Sequence, residues 1–278
     1  MINLTDGKRF SCLVIVVTVM ISMAANAQPS SEDVTQLRPE LTGLRLKQSN
    51  NALEVGYGRE SLTNNYSDWT NTYLLGSRKL GERQVVYGGL RETERFGLKD
   101  SEVHAGLYFP LGRTWGGIVE GSYSPTHEVL AQSSVYAFLQ KSFGSGWGLG
   151  VGLRHNEYTS TASNVASLLA ERYWGSFRGA YTLYSGRPEG ASSAASHRLQ
   201  LSYYYDDRNA VGMSYTNGRE VENVGPPRGV VATDVQSWSV GGQHWFAPSW
   251  ALTYDLTQHE QGTLYRRQGL QLGLRRSF

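Results

Sequence analysis

Polar and apolar residues exchange places at every second position over most of this chain, in segments of about ten residues, the length a membrane-crossing strand needs. Gly148, Gly150, Gly152, Arg154 and Asn156 form one face of such a segment, and Trp147, Leu149, Val151 and Leu153 the other. Leu199, Leu201, Tyr203 and Tyr205 oppose Arg198, Gln200, Ser202 and Tyr204 in the same way. Trp250, Leu252, Tyr254 and Leu256 oppose Ala251, Thr253, Asp255 and Thr257. An extended strand sends successive side chains to opposite faces, whereas no helical period fits these stretches. The pattern predicts strands over 51–61, 68–80, 84–95, 100–110, 114–124, 130–143, 147–157, 163–174, 176–186, 195–205, 210–219, 233–245, 249–260 and 263–278. That makes fourteen, with twelve as the alternative because 163–174 and 68–80 alternate poorly.

The breaks between segments alternate in length. Gly112-Arg113, Gly144-Ser145-Gly146, Gly175 and Asp206-Asp207-Arg208-Asn209 are short and rich in residues that accept positive φ. Longer breaks at 62–67, 125–129, 158–162, 187–194 and 220–232 fall mostly between them, and 261–262 is an exception. Short turns on one side and long loops on the other are the arrangement of outer-membrane barrels. The expected fold is therefore all-β: a transmembrane, antiparallel, up-and-down β-barrel of about 14 strands over residues 51–278. In hydrocarbon every backbone polar group must be paired internally, so such a sheet has to close on itself.

Both ends of the chain agree. Lys8 and Arg9 precede an apolar run from Phe10 to Met23, and Ala25-Asn26-Ala27 is a small-x-small cleavage site. Residues 1–27 read as a signal peptide cleaved after Ala27, and 28–50 as a polar periplasmic lead-in. In the last segment Leu270, Leu272, Leu274, Arg276 and Phe278 share one face. A terminal Phe closing an alternating strand is the signal expected by the bacterial barrel-assembly machinery, so Phe278 is the assembly candidate and the outer membrane the expected location.

Composition narrows the partners. The single cysteine, Cys12, lies inside the apolar run, so the mature chain has no disulfide. The formal net charge of +2 falls to +1 without Lys8, Arg9 and Asp6, which gives no field for nucleic acid. The mean hydropathy of -0.39 rules out a helical membrane bundle and is compatible with a barrel, whose two faces average out. Trp69, Trp115, Trp147, Trp174, Trp245 and Trp250 near strand ends would form interfacial girdles. The competing arrangement, a soluble β-sandwich with these Trp in its core, does not account for the signal peptide, the terminal Phe or the loop asymmetry.

The stretch Arg91-Glu92-Thr93-Glu94-Arg95-Phe96-Gly97-Leu98-Lys99-Asp100 resembles the YaiO family of outer-membrane β-barrels, with its "ERFG-x-x-D" run. Gly146 to Arg154, Glu171-Arg172-Tyr173-Trp174-Gly175 and Tyr203 to Asn209 continue the resemblance in order, so that it spans about residues 50 to 278. It implies a barrel and no catalytic residues. Some related barrels follow periplasmic repeat domains that serve polysaccharide export, a domain this chain lacks.

No enzyme, cofactor or metal site is expected. His155 and Asn156, near Ser160, are adjacent on a strand and point to opposite faces, so they cannot form one dyad without a bulge. His127-Glu128 and His259-Glu260 face the same obstacle, and the six His have no metal-ligand spacing. Gly146 to Gly152 is a strand face and not a phosphate loop. The chemistry that remains belongs to the lumen. Alternation points Glu54, Glu60, Arg154, Arg178, Arg198, Asp255, Arg267 and Arg275 inward, with a cationic bias. These side chains either pair across the lumen and fill it or line a polar conduit. Arg91 and Arg95 are expected near the outer rim, able to meet acidic sugars or lipopolysaccharide phosphate. The expected function is a conduit for saccharide or anionic solutes, the alternative a non-conducting surface or interaction protein that uses loops 187–194 and 220–232. Expected partners are outer-membrane lipids and lipopolysaccharide, the assembly machinery and polysaccharide.

Overall fold

In the computed structural model, which describes residues 50–81, 83–189 and 193–278, the first strand lies hydrogen-bonded beside the last. The signal peptide and all of the lead-in but Asn50 lie outside the described residues. Fourteen antiparallel strands close one barrel, each paired with its neighbours in the sequence. They are β1 (Asn51–Leu62), β2 (Trp69–Gly81), β3 (Gln84–Arg95), β4 (Leu98–Leu111), β5 (Trp115–Tyr123), β6 (Ser133–Ser142) and β7 (Trp147–Glu157). They continue as β8 (Ala162–Trp174), β9 (Phe177–Pro188), β10 (Ala194–Tyr204), β11 (Ala210–Asn223), β12 (Val230–Ala247), β13 (Trp250–Gln261) and β14 (Tyr265–Ser277). The expected strand count and the up-and-down order are both observed.

The polarity of the barrel is inverted relative to a soluble protein. On β7, Leu153 is 63% exposed while its neighbour Arg154 is 6% exposed. Leu270, Leu272 and Leu274 on β14 face out, and Arg267 and Arg275 face in. A sheet that presents leucines outward and carboxylates inward is stable only against hydrocarbon, which removes the soluble sandwich.

The start of β1, the end of β14 and most of the short hairpins share one end of the barrel. At the seam, the Asn51 N–H donates to the Phe278 carbonyl at 3.2 Å, and the Phe278 N–H donates to the Asn51 carbonyl at 3.1 Å. By the rule of short turns this is the periplasmic end. Trp115, Trp147, Trp174, Trp245 and Trp250 gather there. Trp69 corrects the girdle assignment: it begins β2 at the opposite end and is 2% exposed, inside the barrel.

Two outer hairpins differ from expectation. The break anticipated over 220–232 is largely strand, with β11 running to Asn223, β12 starting at Val230 and the turn confined to 224–229. Glu220, Val221, Glu222 and Asn223 are all buried, so the two-residue beat disappears from the sequence where the hairpin is packed on both sides. Between β3 and β4 the chain reverses through Phe96 and Gly97 alone, both at positive φ (55° and 76°). That pair suits the tight hairpins whose twist matches the strands.

Candidate functional site: lumen and outer mouth

Inward side chains pair with neighbours around the wall. Arg275 of β14 binds Glu54 of β1, the residue directly opposite it in the ladder. Glu54 Oε1 also accepts the Tyr73 hydroxyl at 2.9 Å and the Thr253 hydroxyl at 2.8 Å. Arg91 of β3 meets its opposite residue, Glu102 of β4, at 3.2 Å. Arg267 of β14 reaches Glu60 of β1 at 2.6 Å, and Arg178 of β9 reaches Glu171 of β8 at 2.8 Å. Arg154 of β7 reaches past β6 to Glu120 of β5 at 3.7 Å, and its guanidinium lies 4.7 Å from the Tyr136 ring centre. Arg198 stacks on Tyr184 at 4.9 Å. Asp255 faces inward from β13 at 7% exposure.

Aromatic rings follow the wall as well. Tyr73 lies against Gly56, its partner on β1, and Tyr87 against Gly106, its partner on β4. A Cβ on either glycine would come within 2.2 Å of the ring. Glycine at these positions lets a large side chain turn sideways onto the neighbouring strand, where it would otherwise stand out into the lumen. Tyr73, Tyr87, Tyr108, Ile118 and Phe138 belong to one apolar cluster on this part of the inner wall.

The outer mouth is built differently. Segment 124–132, between β5 and β6, turns inward, and Val129, Leu130 and Ala131 are at most 1% exposed. Its anchor is Asp100, on β4 and fully buried. One carboxylate oxygen accepts the Glu128 N–H at 2.9 Å, and the other accepts the N–H groups of Val129 and Leu130, both at 2.8 Å. The Ser124 hydroxyl adds a bond to the Ser101 carbonyl at 2.8 Å. From the β11–β12 side, the Asn223 amide donates to the Val129 carbonyl at 3.0 Å. Because β5–β6 and β11–β12 are six strands apart in a ring of fourteen, this contact bridges the mouth. Ala131, Tyr158, Ala194 and Val221 pack together beneath it, and Phe96 and Leu98 cover Val129 and Leu130. Phe96 also meets Trp69 edge-on at 5.0 Å, and the Arg95 and Arg267 guanidinium groups lie 4.6 and 4.8 Å from the Trp69 ring centre.

Two expectations need revision. Arg91 and Arg95 are on the outer half of β3, but at 8% and 2% exposure they point inward and are not displayed on the rim. The inner wall is not biased toward cations: the buried side chains include seven arginines and nine carboxylates. The excess of acids comes from residues such as Glu120, Glu171, Glu220 and Glu222, which sit where the alternation is hard to read. Asp100 figured in the sequence only as the last residue of a motif; its role depends on a segment about thirty positions away. His155 points outward to the Asn164 side-chain amide oxygen (Oδ1) at 2.9 Å, and Asn156 points inward to Ser163 at 3.3 Å. Among the described residues no three His, Cys or carboxylate groups gather as a metal site.

The model of the YaiO membrane beta barrel domain matches residues 50–223. The chain belongs to this family. It is an outer-membrane β-barrel, and the matched stretch holds both Asp100 and the segment it anchors. A comparison with curated protein sequences finds no match. Solved structures resemble the barrel at low identity. The CymD monoaromatic hydrocarbon channel aligns with a TM-score of 0.56 at 10% identity, over 84% of this chain and 89% of that one. A bacterial polysaccharide outer membrane secretin gives 0.50 at 9%, over 84% and 100%. The KdgM porin in complex with disordered oligogalacturonate gives 0.46 at 10%, over 81% and 99%. These likenesses concern the fold.

Proposed function

We propose that this YaiO-family barrel is a non-enzymatic conduit for polar, saccharide-type solutes, whose outer mouth the 124–132 segment holds closed in the state described. The observation that carries this reading is the sideways packing of the inner wall. Arg–Glu pairs join strands one or two apart, and tyrosines lie on glycines, so the long inward side chains spend their length along the wall. Barrels of about this size have an interior wider than side chains alone fill. Near-balanced charge on the wall favours neutral, hydroxyl-rich solutes over anions, and aromatic faces beside hydrogen-bonding groups suit sugars. A barrel built only as a scaffold gains nothing from keeping its interior side chains flat.

Conductance of the refolded protein in planar bilayers tests the proposal. The intact barrel should show small or rare openings, and a variant lacking 126–130 should conduct steadily, with current reduced by added oligosaccharide. A loop-deleted barrel that assembles and still passes no ions would refute it.

The bridged mouth favours a second reading, a non-conducting surface protein. Its contact surface would then be the packed cap of 124–132, Phe96 and the 224–229 turn. The loop expected over 220–232 is less suited to that role, since much of it is strand.

A further inference from the structure

Seven outward-facing cations of the barrel have partners that differ by height. Toward the outer end four have a carboxylate: Arg59 with Asp68 at 2.6 Å, Lys99 with Glu92 at 2.7 Å, Arg219 with Asp234 at 3.6 Å and Arg266 with Glu260 at 2.6 Å, while Arg187 lies opposite Asn164. At the periplasmic end three sit instead on tryptophan. Lys141 lies over Trp115 at 5.2 Å, Arg172 over Trp147 at 5.2 Å and Arg276 over Trp250 at 5.4 Å. In all three the cation and the indole are directly opposed across a strand ladder, on the membrane-facing side. In the turn before β11, Arg208 stacks on Trp245 at 3.5 Å. None of the ion pairs among the described residues involves Lys141, Arg172 or Arg276. A ring face attracts a cation without neutralising it, so these groups keep a full charge toward the bilayer.

We infer that this rim is a binding surface for anionic phospholipid of the periplasmic leaflet, with the lipid phosphate held by the cations of the Lys141, Arg172 and Arg276 pairs. Each tryptophan contributes two things. It fixes the cation at headgroup height, and its apolar body lies where the acyl chains begin, the position amphipathic rings favour. Trp147 is 47% exposed and Trp115 37%, so a lipid has a surface to occupy. In the turn between β10 and β11, Asp206 is engaged by the N–H groups of Arg208 and Asn209. At the outer end the carboxylates of the four pairs offset the equivalent attraction, so the preference falls on the periplasmic rim. The inference is independent of whether the lumen conducts.

Native mass spectrometry of the refolded barrel, released from micelles carrying equimolar dioleoyl-phosphatidylglycerol and dioleoyl-phosphatidylcholine, tests it. The wild-type protein should retain the anionic lipid preferentially. A cation near an anionic surface contributes enough that each single change, Lys141→Gln, Arg172→Gln or Arg276→Gln, should lower that preference about fivefold. Arg172→Lys should keep most of it, and Arg59→Gln, Arg219→Gln or Arg266→Gln at the other end should leave it unchanged. Far-ultraviolet dichroism and heat-modifiable mobility verify that each variant is a barrel. Equal retention of both lipids by the wild type, loss of the preference on outer-end substitution, or an equal preference in all the folded glutamine variants would overturn the inference. So would selective retention of lipopolysaccharide, added as a third competitor, over phosphatidylglycerol.

Discussion

The Asp100 carboxylate accepts the Leu130 N–H at 2.8 Å, joining the start of β4 to a segment that reaches in from the next outer hairpin. With the bonds from Val129 and Glu128, one side chain satisfies three successive backbone donors in a buried place. A carboxylate suits this role because it accepts on both oxygens and donates on neither. The Arg95-to-Asp100 run that marks the family is thus an architectural device: Phe96 turns the β3–β4 hairpin and covers the segment that Asp100 holds.

Asp100→Ala should therefore release the segment. An unsatisfied buried N–H costs about 1–3 kcal/mol, so loss of three partners should exceed the stability of a nine-residue loop. Hydrogen exchange at Glu128, Val129 and Leu130 should rise by orders of magnitude while exchange on β7 and β14 stays slow. Asp100→Asn, which keeps one acceptor oxygen, should fall between. Unchanged protection at Leu130 in the alanine variant would show that the apolar packing alone holds the segment.

Gly106→Ala tests whether the rings must lie flat. The new Cβ would come within 2.2 Å of the Tyr87 ring, and overpacking of this kind costs about 1–3 kcal/mol. Urea-induced unfolding of the barrel in lipid vesicles should move by that amount. The double variant Gly106→Ala/Tyr87→Ala should be less damaged than the sum of the two singles, because the clash is gone. Strict additivity would mean the ring is free to swing into the lumen.

Much of the barrel is legible in the sequence because one physical demand, lipid outside and water inside, acts on every strand separately. β7 and β14 show this best: each carries glycines and arginines on one face and leucines on the other, and alternation alone orients Arg154 and Arg275. The outer mouth is not legible for the same reason. There, neighbours from distant parts of the chain set the environment, so Glu220 to Asn223 lose the two-residue beat and read as loop. Trp69 sits at a strand end like the girdle tryptophans, but it shares the inward face of β2 with Tyr73 and Leu75, in a segment whose alternation is weak in the sequence. The three acceptor bonds of Asp100 span about thirty residues and leave no local mark.

Glu54 and Arg275 form one of two buried ion pairs that join β1 to β14, and they are 5% exposed each. Removing one partner of a buried ion pair costs about 3–5 kcal/mol, whereas replacing both with neutral groups costs much less. Glu54→Gln and Arg275→Met should each lower refolding yield and the urea midpoint, and the double variant should recover more than half of the loss. Arg275 also donates to Gln243, so its single variant should be the more severe. A double variant as impaired as the worse single would assign the loss to the other bonds of Glu54, from Tyr73 and Thr253.

Phe278 separates folding from assembly. Its backbone closes the seam against Asn51, but its ring is 67% exposed and packs on little. Substitution at so exposed a position should change the stability of the refolded barrel by about 0.5 kcal/mol or less. If the terminal Phe is read by the assembly machinery, Phe278→Ala should still reduce the amount of barrel in the outer membrane of cells several-fold, with precursor accumulating in the periplasm. Heat-modifiable mobility of membrane fractions, set beside urea unfolding of the same variant refolded in vitro, measures the two effects separately. Equal assembly in cells would remove Phe278 as a recognition element, and a matching loss in vitro would make it a structural residue of the seam.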